Sequence, residues 1–261
     1  FVDDTNIFYQ SNNLDNLQKV INKELKKLSL WLRSNRLALN ISKTNFVIFK
    51  AKNKPSKNIT LLIDKKAIEE KDHVKYLGVL IDTQLTFKDH ITTITKNMSR
   101  TVGLLSKIRP YTTNKVLLTI YNSLIYPFLL YGVPIWGNAD NVHLKHIYML
   151  QKKAVRLISN KNTYIQTVFH LPGTPNTIWY VDTFIKEPTA PLFKNLYLLN
   201  IYDIFKVEIL KFVFDSLKGS NPKQFHTYYH YPSNIRSTTA NRNNNLKTPS
   251  VRTTTYGLKS I

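Results

Sequence analysis

The chain has 261 residues, enough for one large domain or two ordinary ones, and 43% of them are hydrophobic, which allows a sizeable core and argues against global disorder. Its formal charge is +21, from 37 Lys and Arg against 16 Asp and Glu, an excess that calls for a polyanionic partner, nucleic acid first and an anionic membrane surface second. There is no cysteine, so disulfides, thiolate metal sites and zinc knuckles are excluded.

Residues 1–10 open on Phe1-Val2-Asp3-Asp4 and read as a turn followed by a short strand through Thr5, Ile7, Phe8 and Tyr9. Ser11, Asn12 and Asn13 offer helix caps. Apolar residues then recur at Leu14, Leu17, Ile21, Leu25, Leu28 and Leu32, one face of an amphipathic helix ending near Asn35. Lys19, Lys23, Lys26 and Lys27 lie mostly off that face, and Trp31 falls near the apolar stripe and is expected in the core. Short strands follow at 46–49, 59–63, 67–68 and 74–81, with a basic, proline-containing loop at 50–58 and a tight connection at Asp64-Lys65-Lys66. A helix packed on an antiparallel sheet accounts for this β–α–β–β–β order.

Beyond Thr86 the period changes from two to 3.6. Ile91, Ile94, Met98, Val102 and Leu105 form one stripe, and Lys96, Arg100 and Lys107 project on the opposite side. Further helices are predicted over 114–126 and 143–158, the latter with Ile147, Leu150, Ala154 and Leu157 inward against Lys152, Lys153 and Arg156. The apolar run 116–136 is long enough to span a membrane, but Asn122, Ser123, Pro127, Pro134 and its tyrosines mark it as buried core instead. Residues 160–191, punctuated by Pro172, Pro175, Pro188 and Pro191, read as irregular; 192–217 reads as helical. From Ser233 onward the composition is that of a mobile basic tail. His143, His146 and His170 form no recognisable metal pattern.

Two adjacent aspartates can face one site only where the backbone turns between strands, and carboxylates there are what magnesium and two-metal phosphoryl chemistry require. Most isolated Asp-Asp pairs are solvated turns. Here, however, Phe1-Val2-Asp3-Asp4 is followed in order by Trp31-Leu32-Arg33 through Leu39-Asn40, Ser42-Lys43-Thr44, Ile48-Phe49 and Val74-Lys75-Tyr76-Leu77-Gly78-Val79. Leu130-Tyr131-Gly132, Trp136-Gly137, Gln151 to Arg156 and Thr189 to Phe193 complete the series. This succession resembles the reverse transcriptases of non-LTR retrotransposons, in particular the jockey and CR1-like group, over most of the chain; residues 163–187 fit it poorly.

The resemblance implies an α+β fold: a truncated polymerase palm (1–85), an antiparallel sheet with a packed helix, then an α-helical thumb-like region (86–160). An irregular linker or insertion (161–190), a C-terminal helical region (191–232) and a partly disordered basic tail (233–261) would follow. It implies that Asp3 and Asp4 hold Mg²⁺, that Lys43 lies near the departing pyrophosphate as a proton donor, and that Tyr76, Leu77 and Gly78 grip the primer end. Lys96, Arg100 and Lys107 would track the duplex by phosphate contacts. An RNA template and a DNA primer are the implied partners, with no membrane and an intracellular place in nucleus or cytoplasm. The fingers and the other palm aspartate precede the Asp-Asp turn in that family. The chain is therefore expected to be one part of a longer polyprotein, inactive alone, with a non-catalytic basic nucleic-acid-binding remnant as the alternative.

Overall fold

The computed structural model describes residues 5–50, 59–159, 164–170, 178–184 and 188–226, the segments 164–170 and 178–184 by their backbone. The chain divides into two compact units at Phe87/Lys88. Among the described residues the architecture is mixed, with more helix than strand.

The first unit is built on α1 (Leu14–Ser34). Asn13 caps it, its side chain accepting from the Asp15 backbone N–H at 2.8 Å, and Asp15 sits favourably in the first turn. The predicted stripe points inward: Leu25, with Ile59, Leu61, Ile63 and Ile68, makes a small core against which Leu14, Ile21, Leu28, Phe46 and Ile48 pack. Trp31 does not join it. It is 57% exposed, because the buried arc of α1 centres on Leu14, Leu25 and Leu32, and Trp31 lies on the shoulder beyond it.

The strands are shorter than predicted and form separate pairs. The antiparallel pair β2 (Leu62–Ile63) with β3 (Lys66–Ala67) turns through Asp64 and Lys65, both at positive φ, the signature of a type I′ hairpin. A parallel pair joins β1 (Asn45–Phe46) to β4 (Glu69–Glu70), where the sequence pattern suggested only antiparallel pairing. The stretch 74–81 is itself a hairpin, β5 (His73–Tyr76) with β6 (Val79–Asp82). Residues 5–10 form no strand, since no ladder partner reaches them among the described residues; Phe8 instead meets Tyr76 edge-on at 6.1 Å.

Polar side chains tie these short pieces to the helix. Asn22 of α1 donates to the Thr60 carbonyl at 3.0 Å and accepts from the Leu62 N–H at 2.8 Å. Asp64 accepts from the Ser29 hydroxyl and from Arg33 at 3.0 Å, and these partners hold its carboxyl below the usual range.

The second unit begins with α2 (Lys88–Ile108), followed by α3 (Asn114–Leu124), α4 (Tyr126–Leu130), α5 (Val133–Trp136) and α6 (Asn141–Ser159). The stripe Ile91, Ile94, Met98, Val102 and Leu105 of α2 is buried as predicted. It packs against α6. The apolar run 116–136 becomes three short helices broken at Ile125 and at Gly132, which sits at φ 64 as a left-handed entry to α5. No helix among the described residues is long and apolar enough to cross a membrane.

Helix α6 is rotated from its predicted orientation. Its buried positions are Leu144, Ile147, Gln151, Ala154, Val155 and Ile158, while Leu150 and Leu157 are half-buried. The difference is Gln151, whose amide is drawn inward by partners. It donates to the Tyr121 hydroxyl at 3.0 Å and to the Leu199 carbonyl at 3.3 Å, and accepts from the Ile201 N–H at 2.8 Å. Burial pushes the Tyr121 phenol up to about 12, so it stays protonated.

The stretch read as irregular carries an antiparallel hairpin, β7 (Tyr164–His170) with β8 (Ile178–Phe184). Pro172 and Pro175 belong to neither strand; residues 171–177 lie outside the described residues. The predicted C-terminal helix is two: α7 (Thr189–Asn195) and α8 (Ile201–Leu217), with a capping Asn200 between them. The short α9 (Lys223–His226) follows. Residues 227–261, which include the expected basic tail at 233–261, lie outside the described residues.

Candidate nucleic-acid interface

Three groups of predicted site residues can be placed, and one cannot. Asp3 and Asp4 lie outside the described residues. Among the described residues no group of three or more His, Asp or Glu side chains comes together, so none of them is assigned to magnesium.

Lys43 closes a 3-10 turn at Ile41–Lys43. Asn40 organises that turn, its carbonyl and its side chain both accepting from the Lys43 backbone N–H, at 3.1 and 3.3 Å. The turn leaves Lys43 exposed, ahead of the parallel pair β1/β4. A cation held on an ordered turn can donate a proton or neutralise a phosphate.

Tyr76, Leu77 and Gly78 form the tip of the β5/β6 hairpin. Leu77 and Gly78 have φ of 44° and 86°, so the two-residue turn is of the I′ kind. Glycine takes this conformation freely; a leucine does not. Leu77 is also 68% exposed, so neither local geometry nor burial favours it there.

Asp82 fixes the base of this hairpin, and sequence reasoning missed it. Burial opposes its charge, but N–H donors from Thr86, Phe87 and Gln84, at 3.0, 2.7 and 3.0 Å, with the Thr86 hydroxyl at 3.1 Å, outweigh that and lower its pKa. The turn it organises carries Leu85 and Phe87 at positive φ. The legible signal was Asp82-Thr83-Gln84, a side-chain-bonded turn directly after a strand.

Lys96, Arg100 and Lys107 are all exposed on the outer side of α2, opposite its buried stripe. The single carboxylate of α2 is Asp89, in its first turn. The unit behind them is rigidly packed. Trp136 is fully buried, donates to the Tyr131 carbonyl at 2.9 Å and meets His90 edge-on at 5.7 Å, and burial holds the His90 imidazole below its ordinary value. Gly137 admits Phe205 of α8: a Cβ there would lie 2.5 Å from Phe205 Cδ2 and 2.6 Å from the Val133 carbonyl. On α6, Lys153 is exposed while Lys152 lies over the Tyr148 ring at 4.5 Å.

Comparison with known proteins decides what this basic, mixed chain is related to. It is 32% identical over 176 residues, 65% of its length, to the probable RNA-directed DNA polymerase from transposon X-element of Drosophila melanogaster. It is 30% identical over 172 residues to the RNA-directed DNA polymerase from mobile element jockey of the same species. The chain is homologous to part of the jockey-type RNA-directed DNA polymerases. A third such relative, the probable polymerase from transposon BS, is 26% identical over 175 residues. The chain spans 18–19% of the length of these polymerases. No protein-family model matches it, and no solved structure does.

Proposed function

We propose that this chain is a portion of the RNA-directed DNA polymerase of a jockey-like mobile element, working on an RNA template and a DNA primer inside the cell, in nucleus or cytoplasm. The observation that carries this is the 32% and 30% identity to two such polymerases over about two thirds of the chain. The reaction is attack of a primer 3′-hydroxyl on the α-phosphate of a deoxynucleoside triphosphate, with pyrophosphate leaving. Asp3 and Asp4 are the residues that would hold magnesium, whose chemistry is to neutralise charge building on the phosphate oxygens. Lys43 would supply a proton to the departing pyrophosphate. Tyr76, Leu77 and Gly78 would hold the primer end, and Lys96, Arg100 and Lys107 would contact duplex phosphates. In this reading residues 1–85 are palm and residues 86–160 are thumb.

Two neighbouring aspartates do not complete the ligand set of a two-metal site. The 261-residue chain by itself is therefore expected not to extend a primer. The test is extension of a primed RNA template with deoxynucleotides and magnesium; a product ladder from the isolated chain would overturn the inactivity. Within a complete polymerase, Lys43→Ala should lower the extension rate about a hundredfold with little change in nucleotide KM; an unchanged rate removes its role.

The exposed cations of α2 favour a second reading, a binding module without catalysis. The double substitution Asp3→Asn, Asp4→Asn separates the two. It abolishes extension by a complete polymerase in the first reading and leaves binding intact or slightly tighter in the second. In both, affinity should fall steeply with salt as counterions are released, and a salt-independent affinity contradicts both.

A further inference from the structure

We propose that Gly103 is a recessed contact point for the sugar–phosphate backbone of a nucleic-acid duplex, set in the column of cations on the outer side of α2. The proposal rests on the nucleic-acid reading of that helix and adds to it a residue that carries no charge.

Lys96, Arg100, Gly103 and Lys107 follow one another at steps of four, three and four residues. Such steps keep them in a single column on the helix surface, about 16 Å long from first to last. Gly103 lies between two of the cations, about 5 Å along the axis from Arg100 and about 6 Å from Lys107. All four positions are exposed.

A glycine inside a 21-residue helix needs a reason, because it weakens the helix relative to alanine. Packing among the described residues does not supply one: a Cβ built at Gly103 meets none of their atoms within 4 Å. Gly137 is the contrast, since there Phe205 and Val133 fill the space. The Lys107 side chain, one turn further on, also stays more than 4 Å from such a Cβ. Among the described residues nothing fills the space above Gly103, and the position is exposed.

The occupant follows from the rim. Another protein helix seated on a glycine notch would have to bury the cations around it at a desolvation cost. A polyanion instead gains from every one of them. Phosphates can pair with Arg100 and Lys107 while the intervening sugar or phosphate oxygen approaches the helix more closely than any Cβ would allow. The glycine thus sets the depth at which the duplex rests, and the cations set its register.

The test combines melting with fluorescence anisotropy of a labelled RNA–DNA hybrid on the full 261-residue chain. Gly103→Ala should raise the melting temperature by about 2–4 °C, as a relieved mid-helix glycine does, and yet weaken binding about fivefold. Gly103→Leu, also a good helix former, should weaken binding further, by tenfold or more. The triple substitution Lys96→Ala, Arg100→Ala, Lys107→Ala should lower the slope of log affinity on log salt by about two to three. If the triple variant loses affinity while both Gly103 variants bind like the unaltered chain, the contact at Gly103 is overturned and the basic face stands. If the triple variant binds normally, or the unaltered chain shows no saturable binding, the face is overturned and the glycine contact with it.

Discussion

The two units of this chain hold themselves together by different means. Residues 1–87 have a small apolar core and strands of two to four residues, so their organisation depends on side chains acting as backbone: Asn22 on β2, Asp64 on α1, Asp82 on the turn after β6. The described residues of 88–226 bury whole helical faces, with Trp136, Tyr121, Met98 and Leu105 at zero exposure, and polar groups such as Gln151 sit inside that apolar packing. Specific hydrogen bonds of about 1 kcal/mol each organise the first, and apolar burial of about 25 cal/mol per Å² organises the second. Substitutions should therefore be graded, with steric changes in the helical unit costing most and changes at the hairpins least.

The largest effect is expected from Gly137→Ala. Its Cβ would overlap both Phe205 of α8 and the Val133 carbonyl of α5, so Phe205 must move and the end of α5 must shift, at a cost of about 3 kcal/mol. Urea unfolding followed by helical circular dichroism measures it; a loss below 1 kcal/mol would show that the helical unit is more plastic than its packing suggests. Gln151→Leu comes next. It leaves the Ile201 N–H and the Tyr121 hydroxyl without their partner, for about 2–3 kcal/mol. If it is neutral, apolar burial alone holds α6 and the contrast between the units becomes sharper still.

In the first unit, Asp82→Ala removes the acceptor of three N–H groups and a hydroxyl, for about 1–2 kcal/mol. Because the folded pKa lies below the ordinary 3.8, its charge stabilises fully above that value, and the contribution is lost as pH falls through the folded pKa. The stabilities of the unaltered chain and of Asp82→Asn should therefore begin to converge as pH falls below about 4 and meet only below the folded pKa; equal separation at all pH values contradicts the assignment. The smallest effect has the opposite sign. Leu77→Asn, which tolerates positive φ, should stabilise the β5/β6 hairpin by about 0.5–1 kcal/mol. A destabilisation would mean that the exposed leucine has a contact worth more than its strain.

The same division governs what could be read from the sequence. The stripe of α2 was legible to the residue, because a 3.6-residue apolar period has one physical solution once the helix is long. The hairpin tip at Asp64-Lys65 was legible as a connection, but the pattern read 74–81 as one strand and hid the turn at Leu77-Gly78, because a leucine gives no sign of a positive φ. Trp31 and the turn of α6 were not: an aromatic near a stripe can fall on either side of it, and a buried Gln151 is invisible until its three partners, 30 to 50 residues away, are in place. The pairing of β1 with β4 is likewise non-local, and two-residue strands carry no period. Of the candidate site, the cations of α2 and the hairpin were found by pattern and by order of motifs, whereas Asp82 acts only through hydrogen bonds to the loop after it.

Asn22 has one more consequence. A short strand offers its outer edge to any extended chain that passes, and edges of this kind seed aggregation. By occupying the Thr60 carbonyl and the Leu62 N–H, the Asn22 amide closes that edge with a single side chain. The helix that packs on the strand thus also guards it, and Asn22→Ala is the substitution that would leave the strand open to a second molecule.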